Sequence, residues 1–175
     1  MAVQSWLWEG GARVGSMNEQ RTSGIATVMF TDVEASTDIT TRLGDDAAAS
    51  LLATHNTIVL EQVAAYGGRD VRSTGDGFLV VFDSPRAAVS CALSIQRELT
   101  EREHPIRVRI GLNAGEVLED GGELFGAAIN LAARVMDRAD GGEVLTTDTV
   151  RHGTRDVTGR PSLRHWSSHR SDDSA

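Results

Sequence analysis

Two aspartates in the 175-residue chain sit where a carboxylate is expensive. Asp32 closes the apolar end of "VMFTDVEAST" (28–37), and Asp76 lies inside "STGDGFLVVF" (73–82). An acid at the end of a buried strand needs a partner, because an uncompensated buried ion costs on the order of several kcal/mol. Two carboxylates brought together repel, so one takes a proton unless a cation sits between them. Mg²⁺ suits such a pair, being commonly held by one or two carboxylates plus substrate phosphates. Asp-Gly is also an ordinary turn dipeptide, and two unconnected surface turns would explain the same residues.

The residues after Asp32 add to the metal reading. Glu34, Ala35, Ser36 and Thr37 stand at the start of a helix, where unpaired backbone N–H groups and the helix dipole favour a phosphate. Glu34 itself reads as a capping or dipole-facing residue rather than a third ligand. Further on, "ELFGAAINLAAR" (123–134) sets Asn130 and Arg134 four apart on one helix face. Arg134 could neutralise a phosphate undergoing displacement. The same two residues would also suit an ordinary solvated helix face.

These side chains need elements to carry them. β-branched and apolar content makes 25–31 a strand. Ser36 or Thr37 is the expected N-cap of a short helix ending near Gly44. From Asp45 to Tyr66, residues Leu51, Leu52, His55, Ile58, Val59, Gln62, Val63 and Tyr66 recur at helical spacing, and Gly67-Gly68 closes that helix. "RDVRSTGDGFLVVF" reads as a hairpin turning at Gly75-Asp76-Gly77. Ser84 caps the next helix, with Pro85 at its first position and a buried stripe of Ala88, Cys91, Ala92, Ile95 and Leu99. In "IRVRIGLNAGEV", Ile106, Val108 and Ile110 alternate with Arg107, Arg109 and Gly111, the pattern of a strand. A helix over "GAAINLAARVMDRA" and a strand in "GGEVLTT" follow. The order βαββαβ predicts an α+β, ferredoxin-like core with helices on one face of a mainly antiparallel sheet. In that topology the first strand and the hairpin are neighbours, so Asp32 and Asp76 can meet at one edge. Residues 1–24 read as a flexible lead-in with Met17 as a possible true start, 25–170 as the single domain, and 171–175 as a disordered tail.

Composition narrows the partners. A formal net charge of −8 argues against a nucleic-acid surface, which needs a basic stripe. A small anionic substrate remains compatible, since a metal ion reverses the local field. The apolar runs "IATVMF" and "FLVVF" are far shorter than the roughly 20 residues that cross a bilayer, so no membrane partner is expected. The start lacks a basic, then apolar, leader, and Cys91 is alone, so no disulfide framework forms within the chain. A cytoplasmic location is expected. All 17 basic residues are Arg, which removes a Walker A loop and any lysine Schiff base.

Taken in order, "FTDVEAST" (30–37), "STGDGFLVVF" (73–82), "VRIGLNAGEV" (108–117) and "ELFGAAINLAARV" (123–135) resemble the catalytic domain of the class III nucleotidyl cyclases, in its compact bacterial form. The resemblance runs from about Ile25 to Arg170. It implies that Asp32 and Asp76, helped by the Val33 carbonyl, hold two Mg²⁺ or Mn²⁺ ions. One ion would acidify the ribose 3′-hydroxyl for attack on the α-phosphate, and the other would grip the departing pyrophosphate. Asn130 would orient the ribose and Arg134 would stabilise the developing charge. It further implies a head-to-tail homodimer whose two active sites are shared between chains.

Two positions depart from the adenylyl cyclase pattern. Arg72 stands where that pattern has Lys, and Glu123 where it has Asp. Both are base-specifying positions, and their donor and acceptor characters survive. ATP is favoured, while Glu123 accepting from N1–H and N2–H₂ with Arg72 donating to O6 would suit GTP. Both side chains are longer or bulkier than the originals, so they could bridge each other and fill the pocket. "SLRHWSSHR" resembles the family's next strand, with Arg164 or Arg170 as candidates for the basic residue placed on the triphosphate. The expected activity is conversion of ATP to cyclic AMP and pyrophosphate. The alternatives are a guanylyl cyclase and a catalytically silent cyclase-homology module that binds nucleotide or a partner chain. A diguanylate-cyclase or polymerase-palm relative is more distant, and the helix-borne Asn130 and Arg134 argue against it.

Overall fold

The computed structural model describes residues 22–120, 123–154 and 163–165. The expectations for 1–21, including Met17, for Arg170 and for the 171–175 tail lie outside the described residues.

The chain begins with β1 (Thr22–Val33), then α1 (Ser36–Leu43) and α2 (Asp45–Ala65). The hairpin β2 (Arg69–Ser73) and β3 (Phe78–Phe82) leads into α3 (Pro85–Glu101) and the long β4 (Val108–Asp120). The short β5 (Glu123–Phe125), α4 (Ala127–Met136), β6 (Val144–Thr146), α5 (Asp148–His152) and β7 (Leu163–His165) complete it. The strands run β2-β3-β1-β4-β6-β7 across one sheet, and β5 folds back onto β4. The first four strands are in ferredoxin-like order. β1 pairs antiparallel with both β3 and β4, while β6 and β7 add in parallel.

Alternation along β1 divides the core. Met29 and Val33 point to the face covered by α2 and α3, where Ile58, Val59, Val63, Ala88, Cys91, Ala92, Ile95 and Leu99 close the larger cluster. The whole stripe expected for α3 is buried, and Ser84 caps that helix by accepting from the Ala87 amide. Cys91 is fully buried, and burial pushes its thiol up to about 12.

Ala26 and Val28 point the other way, into a second cluster with Ala128 and Ala132 of α4. One-sided helix packing is therefore corrected: α4 lies on the opposite face from α2 and α3. Small residues make this possible. A Cβ on Gly111 would stand 2.2 Å from the Met136 backbone nitrogen, so α4 rests on β4 backbone to backbone. The period of α4 was legible in the sequence, but no pattern within a helix tells which side of a sheet it covers.

Two local corrections bear on the site. Neither Ser36 nor Thr37 caps α1; the N-cap is Ala35, in the left-handed region at φ 54° with no side-chain cap bond. β5 and α5 were not anticipated, being three and five residues long, too short for a periodic signal.

Candidate functional site

Gly77 creates the site. A Cβ there would fall 1.9 Å from the Thr31 carbonyl oxygen, so only glycine lets the hairpin turn close onto the end of β1. The approach is fixed by the Phe78 amide, which donates to the Thr31 hydroxyl at 3.0 Å, and Gly75 takes the positive φ of 102° that the turn requires. Asp76 is thereby delivered beside Asp32, close enough for each carboxyl to shift the ionisation of the other. The meeting of two acids at one sheet edge is observed.

A third charged residue, missed in the sequence, completes the cluster. Arg109 is the direct cross-strand neighbour of Asp32 in the β1–β4 register, and its Nη2 donates to Asp32 Oδ2. Its alternation with Val108 and Ile110 was readable, but its partner depends on a register that only the assembled sheet defines.

Burial raises the Asp32 carboxyl above the ordinary range and Asp76 pushes in the same direction, against the pull of Arg109. Burial also acts upward on Asp76. There the Ser36 hydroxyl, its own backbone N–H and the Asp32 carboxyl hold it low. The two acids therefore act on each other, Asp32 held above and Asp76 held below the usual carboxylate range.

The start of α1 is more divided than expected. The Glu34 amide donates to the Arg107 carbonyl at 2.9 Å, and its carboxylate accepts from the Gly141 amide at 2.8 Å beside Arg107. Glu34 therefore ties β1 to the 140–142 turn, and its N–H is committed elsewhere than to a phosphate; that part of the expectation is corrected. Ser36 and Thr37 occupy the first turn, where a helix leaves N–H groups unpaired, and Ala35 leads into it. Val33 ends β1 with its side chain buried.

Asn130 and Arg134 are exposed on α4. Among the described residues no hydrogen bond or ion pair joins either to Asp32 or Asp76. Arg72 Nη1, by contrast, donates to Glu123 Oε2 at 2.8 Å. The bridging anticipated for these two long side chains is present, across β2 and β5. Arg164 pairs with Glu143 at 2.7 Å.

The donor set suits a hard divalent cation, with two carboxylates close together and no soft ligand beside them. Among the described residues no group of three or more His, Cys, Asp or Glu forms a closed cage. A cation held here would draw its remaining ligands from substrate oxygens and water.

The family model for the adenylate and guanylate cyclase catalytic domain matches residues 18–162. The chain belongs to that family. It is 32% identical over 134 residues to an adenylate cyclase of Glutamicibacter nicotianae, covering 74% of this chain and 33% of that protein. It is 35% identical over 130 residues to the serine/threonine-protein kinase pkn2 of Myxococcus xanthus, covering 71% of this chain and 16% of the relative. The chain thus spans a third or less of the length of these two relatives. Among solved structures, the adenylate/guanylate cyclase/hydrolase from Silicibacter pomeroyi superposes with a TM-score of 0.70 at 28% identity, covering 78% of this chain and 83% of that one. No helix among the described residues is long and apolar enough to cross a membrane.

Proposed function

We propose that this cyclase domain converts ATP to cyclic AMP and pyrophosphate, using two Mg²⁺ or Mn²⁺ ions at a site shared by two copies of the chain. The observation that carries the reading is the close approach of Asp76 to Asp32, set by Gly77 lying against the Thr31–Asp32 backbone and felt by both carboxyls. Asp32, Asp76 and the Val33 carbonyl would hold the ions, which when bound acidify the ribose 3′-hydroxyl and neutralise the triphosphate.

The chain's own groups do the rest. Amides at Ala35, Ser36 and Thr37 face the phosphates at the positive end of α1. Asn130 orients the ribose, and Arg134 neutralises the charge that builds as pyrophosphate leaves. Their exposure on α4, apart from the acids of their own chain, supports a site completed by a second copy. Arg72 and Glu123 meet the purine edge, donor beside acceptor.

The test is a product assay with ATP and with GTP in Mn²⁺, run across protein concentration. Cyclic product from ATP whose specific activity rises with concentration is expected, as is a loss of at least about 100-fold in Asp76→Ala, in line with removal of a group that stabilises transition-state charge. Equal trace signals from both proteins would discard the reading. The Arg72–Glu123 pair favours one second reading, a silent nucleotide-binding module. That would show as nucleotide-dependent thermal stabilisation without turnover.

A further inference from the structure

We propose that Arg109 is the resident counter-cation of the Asp32–Asp76 pair, and that a divalent metal must displace it to bind. The inference rests on the metal reading above and concerns what regulates access to that site. Three observations carry it.

First, the position is built in. Arg109 and Asp32 face each other directly across β1 and β4, and the guanidinium donates to the carboxylate that would ligate metal. A guanidinium and a divalent ion cannot both lie against the same carboxylate oxygen without strong repulsion. Second, the arrangement has a built-in cost. The Arg109 Nε is buried with no hydrogen-bond partner, and a buried unmade donor is destabilising. The side chain holds the acids together while leaving one of its own N–H groups unsatisfied. Third, it has somewhere to go. Asp137, which caps the C-terminus of α4, and Glu34 both act electrostatically on Arg109. When a metal takes the acids, the guanidinium can turn toward either carboxylate and keep a counter-charge.

Arg109 is on this account a positioning residue rather than a ligand. It keeps two like charges in register in the metal-free chain and is exchanged for the ion. Competition between two cations for one pair of acids is reciprocal: whatever removes one strengthens the other.

The experiment measures Mn²⁺ binding to the full chain, without nucleotide, by the loss of the free-ion electron paramagnetic resonance signal. Thermal melts in chelator and in saturating Mn²⁺ accompany it. Arg109→Gln, which removes the charge, is expected to bind Mn²⁺ about tenfold more tightly than wild type, the change that ~1.4 kcal/mol of lost competition gives. Its melting temperature should fall in chelator and recover in Mn²⁺. Arg109→Lys, which keeps the charge, should stay near wild type and guards against a poorly folded glutamine variant. Equal or weaker Mn²⁺ binding by a folded Arg109→Gln would overturn the proposal while leaving the metal site standing. No binding by any of the three proteins would overturn both.

Discussion

The acid cluster and the Arg72–Glu123 pair are both charged assemblies that join distant parts of the chain, yet they are built in opposite ways. The acids are brought together by backbone: Gly77 lies against the Thr31 carbonyl, and the Phe78 amide is bonded to the Thr31 hydroxyl. Asp32 and Arg109 are fixed as register neighbours, with side chains only 20% and 29% exposed. Arg72 and Glu123 are joined by their side-chain tips alone, and Glu123 is 70% exposed. Chemistry that needs reacting groups held within fractions of an ångström belongs on the first kind of support. Choice between similar bases can rest on the second, where two rotamers adjust to what arrives.

Gly77→Ala breaks the contrast most sharply. A methyl group directed at the Thr31 carbonyl forces the hairpin off β1, which should cost about 1–3 kcal/mol as overpacking does. It should also abolish Mn²⁺ binding, although no ligand has been changed; calorimetry and metal titration on the one variant check both. Glu123→Ala tests the other side. It removes an exposed pair worth only about 0.2–1 kcal/mol, so the melting temperature should scarcely move. The ratio of ATP to GTP turnover should change by about tenfold, the scale of one lost bidentate base contact. A large loss of stability with unchanged preference would place Glu123 in the scaffold instead.

The smallest effect comes from beneath the hairpin. His55 on α2 is fully buried, its ring centroid 6.5 Å from that of Phe78. Burial lowers its basicity most. His104 acts in the same direction, while the Asn56 hydrogen bond and Asp76 oppose it. The folded chain therefore binds this proton less readily than the unfolded one. Stability should fall as pH drops below the ordinary histidine value of about 6.5 and be insensitive to this group above it. Melts at pH 7.5 and 5.5 should differ less in His55→Phe than in wild type, by about 2–4 °C if ~1 kcal/mol is involved in a domain this size.

Much of this was legible in the sequence because the signals were local. The α3 stripe, the β2–β3 turn and the Asp32–Asp76 meeting all follow from period, turn chemistry and one topology. What escaped depended on the assembled sheet. Arg109 becomes part of the site only through antiparallel register, and α4 takes the opposite face because Gly111 admits its backbone. Glu34 was expected near phosphate by its place at a helix start. Its actual partner, the Gly141 amide, is brought there by a turn more than 100 residues further along the chain, and no short-range pattern announces such a contact.

The single thiol at Cys91 offers a clock for the whole domain. It lies on the core-facing side of α3 and stays protonated at neutral pH, so a maleimide can reach it only when the helix lifts away. Trapping rates would then count openings of the core directly, with no dye or engineered label. Slower trapping in the presence of Mn²⁺ and a nucleotide analogue would register occupancy even in a protein that turns nothing over.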